Sequence, residues 1–399
     1  AAPGRNFALF CLVVMMAGLA VGWKRLSART RAGIAAGTEL SLLPLVELIQ
    51  PLSILIALSG LSLAYRLAAQ GRDFMVLEAR DRFGGRILGQ DVGGGAFDLG
   101  PAWFWPGQPR IAALIQTLGL TRFDQYADGD LLFEDEQGNV QRGRGYASMQ
   151  GSYRLHGGFA ALIEHLVAAL DPDRLKRNAA VTSITRSDDG VMARTHEDEV
   201  IHARHCVLAV PPRLAANLSF APELGAPAHR AMTGIATWMA GQAKAVAVYD
   251  RPFWRDAGLS GDAMSRRGPM VEIHDASVEQ GGPYALFGFI GVPPAARQDA
   301  QALRQSITTQ LGRMFGPVAA DPRALLLKDW ALDAFTSTSA DMKPLFAHPQ
   351  YGLPPALSEL WDGRLVFVGT EVAPQFGGYL EGALEAADLV LERLAHEYA

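Results

Sequence analysis

The stretch SILIALSGLSLAYRLAAQGRDFMVLEARDRFGGR, residues 53–86, decides the fold. Its first five residues, Ser53–Ala57, form a short apolar run that predicts a buried strand. Apolar residues then recur at helical spacing over Ser59–Gln70, which predicts a helix. Phe74–Leu77 predicts a second buried strand, and Glu78 follows it directly. The stretch is therefore a βαβ unit, the building block of doubly wound α/β sheets.

Three features of the same stretch indicate a nucleotide site. An acidic residue at the end of the second strand, here Glu78, is placed to accept hydrogen bonds from ribose hydroxyls. Gly84 and Gly85 allow the backbone to pass close to a ligand, because neither carries a Cβ. Arg86 follows them and offers a planar group that can bind a phosphate.

Further elements appear in order down to the C-terminal part of the chain. Together with residues 59–86, these elements resemble the flavin-dependent amine oxidases, the group of the monoamine oxidases and their bacterial relatives. They are DLGPAWFWPGQ (98–108), RLHGGFAALIEHL (154–166), VLAVPP (207–212), KAVAVYDRPFW (244–254) and LVFVGTEVAPQFGGYLEGALEAADLVLERL (365–394).

The resemblance implies the fold class and a domain organisation. The expected fold is α/β, with a Rossmann-like, three-layer FAD-binding domain interleaved with a mixed α+β substrate-binding domain. Residues 51–102, 153–245 and 359–399 would form the FAD-binding domain, and residues 103–152 and 246–358 the substrate-binding domain. Residues 1–50 would form an N-terminal extension.

The resemblance also implies a set of cofactor-binding residues. They are Ser59, Gly60, Glu78, Ala79, Arg80, Gly84, Gly85, Arg86, Gly100, Pro101, Ala102, Trp103, Val181, Gly369, Glu371, Gly378, Tyr379 and Leu380. The FAD is expected to be non-covalent, because Ser339 aligns with the cysteine that attaches the flavin in some members.

The chain departs from the family in its first loop. The family opens the first helix with GxGxxG, but Leu55 and Ala57 stand where the first two glycines are expected, and only Gly60 matches. Those glycines allow a tight turn and a close approach to the pyrophosphate. FAD is the favoured interpretation, since the downstream elements are intact; a relative that has lost its cofactor is the alternative.

The implied reaction is hydride transfer from the carbon of an amine or amino acid to FAD, giving an imine and, with oxygen, hydrogen peroxide. Tyr379 matches one of the two rings that frame the family's substrate site and is the candidate catalytic residue, while Ala340 stands at the other ring. A desaturase or oxidase acting on a carbon–carbon bond, and a cofactor-free non-enzymatic relative, are the competing interpretations.

Several other side chains are candidates for the substrate site. The aromatic run Trp103–Trp105 indicates either a cavity wall or ordinary core packing, and Trp330 allows the same two interpretations. For Lys244 a structural, partly exposed role is expected. For His156 and His274 the pattern favours satisfied polar residues over catalytic groups.

Composition excludes several classes. The 36 basic and 41 acidic residues give a net charge of −5, which argues against nucleic-acid binding. Two cysteines, Cys11 and Cys206, cannot build a cysteine-based metal site, and no metal is expected. The apolar segment 7–23 has the minimum length for a membrane span, and basic residues follow it, so membrane association with a cytoplasmic catalytic domain and a non-membrane extension both stay open. Residues 40–49 are expected to be a short helix or linker. The expected partner is a small amine substrate; the pattern does not indicate an oligomeric state.

Overall fold

The computed structural model describes residues 52–55, 58–343, 345 and 347–397. The predictions for residues 1–50, including the apolar segment 7–23 and the helix or linker at 40–49, lie outside the described residues. Among the residues described, no helix is both long enough and apolar enough to span a membrane. The same residues contain no cluster of three or more potential metal ligands.

A five-stranded parallel sheet contains the predicted βαβ unit. Its strand order is β20-β13-β1-β2-β9. The bounds are β1, Leu52–Leu55; β2, Phe74–Leu77; β9, Leu175–Lys176; β13, Cys206–Leu208; and β20, Leu365–Phe367. β1 pairs in parallel with β2 on one side and with β13 on the other. The sheet is therefore assembled from segments that are far apart in sequence, as in doubly wound folds.

Helices pack on this sheet through apolar side chains. Helix α1, Leu58–Ala69, buries Leu61, Leu63 and Leu67. The other helices are α2, Pro109–Thr117; α3, Gly158–Ala168; α4, Pro212–Ala215; α5, Ala226–Gly234; α6, Phe253–Asp256; α7, Ala300–Phe315; and α8, Leu380–Glu397. α1, α2, α3 and α8 all contribute to the apolar core that covers the parallel sheet.

A second, four-stranded sheet shares that core. Its order is β12-β11-β10-β14, with β10 at Val181–Arg186, β11 at Val191–Thr195, β12 at Val200–Ala203 and β14 at Ser219–Ala221. Buried side chains from β10 and β11, such as Ile184 and Ala193, belong to the same cluster as those of the parallel sheet. The four-stranded sheet and the parallel sheet are therefore built around one common core.

A seven-stranded mixed sheet forms the second large layer, in the order β19-β15-β18-β17-β16-β6-β7. Its strands are β6, Asp130–Glu134; β7, Val140–Arg142; β15, Ala243–Tyr249; β16, Leu259–Ser265; β17, Met270–Asp275; β18, Tyr284–Ile290; and β19, Ala324–Asp329. β6 and β16 pair in parallel and the other neighbours are antiparallel. Helix α7 packs on this sheet through Leu303, Ile307 and Leu311.

Two short ribbons complete the described strands: β3, Gly89–Val92, pairs with β4, Gly95–Asp98, and β5, Arg122–Asp124, pairs with β8, Tyr153–Leu155. The architecture confirms the predicted α/β class with a Rossmann-like parallel sheet and a separate mixed sheet. The exact domain boundaries stay a prediction. Two details bear on these boundaries. β15 begins at Ala243, so the predicted boundary at 245/246 falls inside a strand. Helix α2 lies in the segment 103–152 that was predicted for the substrate-binding domain, but it packs into the core of the parallel sheet.

A buried carboxylate, Asp98, fixes the start of helix α3. Its Oδ1 accepts the Phe159 N–H at 2.9 Å. Burial raises the pKa of Asp98 to about 6, although the Arg154 and Lys244 charges and the Phe159 N–H pull it down. The ionised form is therefore disfavoured in the folded chain, despite two neighbouring cations.

This shift predicts a pH-dependent stability. The folded pKa lies above the ordinary value of 3.8, so the stability that Asp98 contributes is fully present below pH 3.8 and is lost as pH rises to about 6. The full shift corresponds to about 3 kcal/mol. We expect Asp98→Asn to remove this part of the pH dependence, measured as the difference between denaturant unfolding curves of the two proteins from pH 4 to 7. The same change in the free energy of unfolding between pH 4 and 7 in both proteins would contradict this prediction.

Candidate active site

A large cavity lies at the carboxyl ends of the parallel strands. Its volume is about 1170 Å³, larger than the about 300–1,000 Å³ of most small-molecule pockets. Glu78 after β2, Ala209 after β13 and Gly369 after β20 all line it. Open α/β sheets bind ligands at this edge, because the crevice there is bounded by the loops that leave successive strands.

The structure brings nearly all of the predicted cofactor residues to this cavity. Those that line it are Ser59, Glu78, Ala79, Arg80, Gly84, Gly85, Arg86, Gly100, Pro101, Ala102, Trp103, Val181, Gly369, Glu371, Gly378, Tyr379 and Leu380. Gly60 is the exception: it is buried in the first turn of α1 and is not part of the cavity wall.

Glu78 offers an unused acceptor. Its side chain is only 2% exposed, and Oε1 accepts the Arg80 backbone N–H at 3.0 Å. Oε2 is buried and has no hydrogen-bond partner among the described residues. Burial raises the pKa of this carboxyl, and the Arg80 N–H and guanidinium oppose that rise. A buried carboxylate oxygen without a partner is costly, so the site fits a ligand that brings hydroxyl donors.

Arg86 and Glu371 form an ion pair in the cavity wall. The Arg86 guanidinium forms an ion pair with the Glu371 carboxylate, and it also donates to the Trp238 carbonyl oxygen at 3.3 Å. Glu371 lies in the 3₁₀ turn Thr370–Val372 and its side chain is buried. The expected closeness of these two residues is therefore found, although 285 positions separate them.

Arg80 has partners that the sequence did not indicate. Its Nη2 donates to the Asp333 carboxylate at 2.6 Å and to the Thr336 hydroxyl at 2.9 Å. The guanidinium also lies 5.4 Å from the centre of the Phe335 ring. Lys328 reaches the same Asp333 at 2.6 Å. This ion-pair network ties the loop after β19 to the loop after β2.

Lys244 lies in the cavity wall and is only 6% exposed. The expected partly exposed position is therefore wrong. Its Nζ donates to the Gly100 carbonyl oxygen at 2.6 Å and lies 5.4 Å from the centre of the Phe289 ring. Burial lowers the pKa of Lys244 to about 8, while Asp98 raises it and Arg86 lowers it. Sequence spacing could not show this, because the contact joins β15 to the turn at Gly100.

The aromatic run Trp103–Trp105 contributes both to the cavity wall and to the core. Trp103 and Trp105 line the cavity, whereas Phe104 is buried against Tyr153 and Phe159 in the core. Trp330 also lines the cavity, and its Nε1 donates to the Leu99 carbonyl oxygen at 2.8 Å. The Trp103 Nε1 likewise donates to the Gln125 side chain at 2.7 Å, so hydrogen bonds hold both indoles in the cavity wall.

Tyr379 lies at the rim of the cavity and is 41% exposed. Its ring stacks on His348 with centroids 5.3 Å apart and planes 14° from parallel, and it meets the edge of Trp105 at 6.1 Å. The ring that stacks on Tyr379 is thus a histidine, and His348 is not among the residues that line the cavity. No pattern around His348 could have indicated this.

The two histidines considered from sequence are both engaged. His156 pairs with Glu279 on the surface. His274 is buried between Asp262 and Glu272, with ring nitrogens 2.6 and 3.0 Å from their carboxylates. Neither histidine lines the cavity. Cys206 is buried in β13, where burial raises the pKa of its thiol to about 12, so it is unreactive.

A family comparison identifies the chain. The family model described as flavin containing amine oxidoreductase matches residues 58–147 and 132–391. The chain belongs to this family. As a flavin-containing amine oxidoreductase it is an enzyme that uses FAD, and the unpartnered Glu78 oxygen together with the Gly84–Gly85 and Gly100 turns suits that cofactor.

Individual relatives agree with the family model. The probable flavin-containing monoamine oxidase A of Dictyostelium discoideum is 24% identical, over 82% of this chain and 93% of its own length. Amine oxidase B of Sus scrofa is 26% identical, over 62% of this chain but only 48% of its own length. For such relatives the chain therefore matches about half of the protein.

Solved structures share the fold. A cofactor-binding mutant of putrescine oxidase superposes with a TM-score of 0.76 at 20% identity, covering 88% of this chain and 99% of the other. Cyclohexylamine oxidase from Brevibacterium oxydans IH-35A gives a TM-score of 0.73 at 20% identity, with the same coverage.

The altered loop of this amine oxidoreductase lies at the edge of the described region. Leu55 ends β1, α1 begins at Leu58, and Ala57 lies outside the described residues. The Ser59 hydroxyl donates to the Val368 carbonyl oxygen at 3.0 Å, which ties the first turn of α1 to the end of β20. The helix N-terminus is therefore in place to attract phosphates even without the two glycines.

Restoring the family loop tests how much those glycines matter. We expect the double variant Leu55→Gly, Ala57→Gly to bind FAD about tenfold more tightly, because the two glycines of the family loop allow a close approach of the backbone to the pyrophosphate. A tenfold change corresponds to about 1.4 kcal/mol. Titration of the apo protein with FAD, followed by flavin fluorescence, measures this. Equal affinity of variant and wild type would show that the helix terminus alone suffices.

Proposed function

We propose that this amine oxidoreductase oxidises a small alkyl amine at the carbon that bears the nitrogen, with FAD held non-covalently by the residues around Glu78, Arg86 and Glu371. One observation supports this above all. The cavity that contains the cofactor residues is also lined by Trp105, Phe289 and Trp330, three aromatic side chains outside the predicted cofactor set. Cofactor and substrate can therefore lie in contact inside one cavity.

The cofactor end of the cavity contains a buried carboxylate and a glycine turn where two backbone segments lie close together. Glu78 would accept the ribose hydroxyls through its unpartnered oxygen. Val181, which lines the same cavity, would cover the adenine. Gly100 lets the backbone of its turn lie directly against the Arg86 carbonyl oxygen. Bound FAD would supply the acceptor for a hydride from the substrate carbon, with oxygen as the final acceptor of the electron pair.

The substrate end of the cavity would select a neutral amine. Trp103 and Trp330 supply fixed apolar walls, and Tyr379 orients the substrate from the rim. The buried Lys244 ammonium disfavours a second positive charge beside it, so an alkyl amine binds there in its neutral form. Loss of a hydride and a proton from R–CH₂–NH₂ leaves R–CH=NH, which water hydrolyses to an aldehyde and ammonia.

Product analysis separates this proposal from its alternatives. Purified protein is incubated with FAD and n-pentylamine, and flavin absorbance, hydrogen peroxide and ammonia are measured. We expect bound flavin and equal amounts of peroxide and ammonia. An oxidised product without ammonia would favour attack on a carbon–carbon bond, and a protein that binds no FAD would favour the cofactor-free relative.

A further inference from the structure

The floor of the substrate region is one row of side chains across the seven-stranded sheet. In the register of β15, β18 and β17, Lys244 lies opposite Phe289, and Phe289 lies opposite Glu272. All three side chains line the cavity. Neighbouring strands are about 4.8 Å apart, so about 10 Å separates the strand that carries the lysine from the strand that carries the glutamate.

Two hydrogen bonds to one oxygen hold the Glu272 carboxylate in place. His274 and Ser148 both donate to its Oε1. His274 is fixed in turn by Asp262 at 2.6 Å and by the edge of the Trp103 ring at a centroid distance of 5.4 Å. Burial alone would lower the pKa of His274, but the two carboxylates outweigh it and raise that pKa. The Glu272 carboxylate is therefore held through Oε1 only.

The second oxygen of Glu272 is free for a ligand. Within the described part of the chain, no hydrogen bond reaches Oε2. The side chain keeps 29% of its surface exposed, and the residue is part of the cavity wall. Desolvation raises the pKa of Glu272, but hydrogen bonds from His274 and Ser148 outweigh it and lower that pKa below its ordinary value. The cavity thus presents a rigid, ionised carboxylate.

The row is therefore polarised. Its Lys244 end lies at the Gly100 turn, among the cofactor residues, and excludes a cation. Its Glu272 end attracts a cation, and the apolar Phe289 ring lies between the two. A ligand that matches this floor has a neutral group near Lys244, an apolar middle and a positive charge at the far end.

We propose that Glu272 is a specificity-determining residue that binds a second, remote ammonium group, so that α,ω-diamines are better substrates than monoamines of the same chain length. This inference rests on the proposed amine oxidation. Glu272 acts by binding the unreactive end of the substrate, and His274 and Ser148 act as positioning residues for it.

The test compares 1,5-diaminopentane with n-pentylamine. In the FAD-loaded wild type we expect the diamine to have the lower KM at a similar kcat. Glu272→Gln is expected to raise the KM for the diamine about 10- to 100-fold, the usual loss when a charged partner is removed, and to change the KM for pentylamine less than about threefold. Glu279→Gln is the matched control, since Glu279 is exposed, pairs with His156 and lies outside the cavity wall.

The outcomes separate the two proposals. If pentylamine is oxidised but the diamine is no better, or if Glu272→Gln affects both amines equally, the role of Glu272 is wrong and amine oxidation stands. If neither amine yields peroxide and ammonia, the proposed function is wrong and this inference with it. Should Glu272→Gln lose its FAD, Glu272→Asp keeps the charge: it is expected to retain the diamine preference with the optimum moved to a longer diamine, and loss of the preference would overturn the role.

Discussion

Glu78→Gln is expected to weaken FAD binding about 10- to 100-fold and, at the same time, to leave the apo protein as stable as the wild type or more stable by about 1 kcal/mol. The first effect follows because a charged acceptor for the ribose hydroxyls is worth about 1.5–3 kcal/mol. The second follows because the wild-type carboxylate is buried with Oε2 unpartnered, and its raised pKa shows that the charge is disfavoured there. Binding and stability thus change in opposite directions.

Two measurements check this result. FAD titration by flavin fluorescence gives the affinity, and denaturant unfolding of the flavin-free protein gives the free energy of unfolding. Glu199→Gln is a suitable control, because Glu199 is a half-exposed carboxylate that pairs with Lys176 outside the cavity. Wild-type FAD affinity in Glu78→Gln would show that another group receives the ribose.

Gly100→Ala is expected to lower the free energy of unfolding by about 3–5 kcal/mol and to abolish FAD binding. A Cβ at this position would overlap the Arg86 carbonyl oxygen and would lie 3.1 and 3.2 Å from the Arg86 carbonyl carbon and the Leu88 nitrogen. These are backbone atoms, so no side chain can move to make room. Arg86 and Gly100 both line the cavity, and any shift that relieves the overlap displaces the cofactor contacts.

A second glycine provides the comparison for this variant. Gly234 ends helix α5, has an ordinary backbone conformation, and has open space where an alanine methyl group would lie, with no atom within 4 Å. We expect Gly234→Ala to be neutral or to stabilise the fold by about 0.4–1 kcal/mol, by restricting the unfolded chain. Similar unfolding curves for Gly100→Ala and Gly234→Ala would contradict the close approach at Gly100.

Local pattern was enough to predict the parallel part of the fold. The βαβ unit at 53–77 has short apolar runs and a clear helical period, so β1, α1 and β2 form within two residues of the predicted positions. In α7, likewise, the buried apolar residues Leu303, Ile307 and Leu311 repeat every four residues. These elements depend on nearby sequence, and nearby sequence is what a pattern measures.

The substrate side could not be predicted in the same way. The row of Lys244, Phe289 and Glu272 exists only because three antiparallel strands pair in one register. The position of His348 against Tyr379, and that of Asp333 against Arg80, likewise depend on loops that meet from distant parts of the chain. Family resemblance indicated the cofactor residues and Tyr379, but it did not indicate the row of Lys244, Phe289 and Glu272.

The pairing of Arg86 with Glu371 has a consequence for biosynthesis. Their 285-residue separation means that the first half of the cofactor site leaves the ribosome long before the second. At about 5–20 residues per second, the interval is about 15–60 s. During that time β13 lacks its neighbour β20, and α1 lacks the covering α8. Flavin loading should therefore follow translation of residues 365–397, and nascent chains arrested before Leu365 should not retain the cofactor.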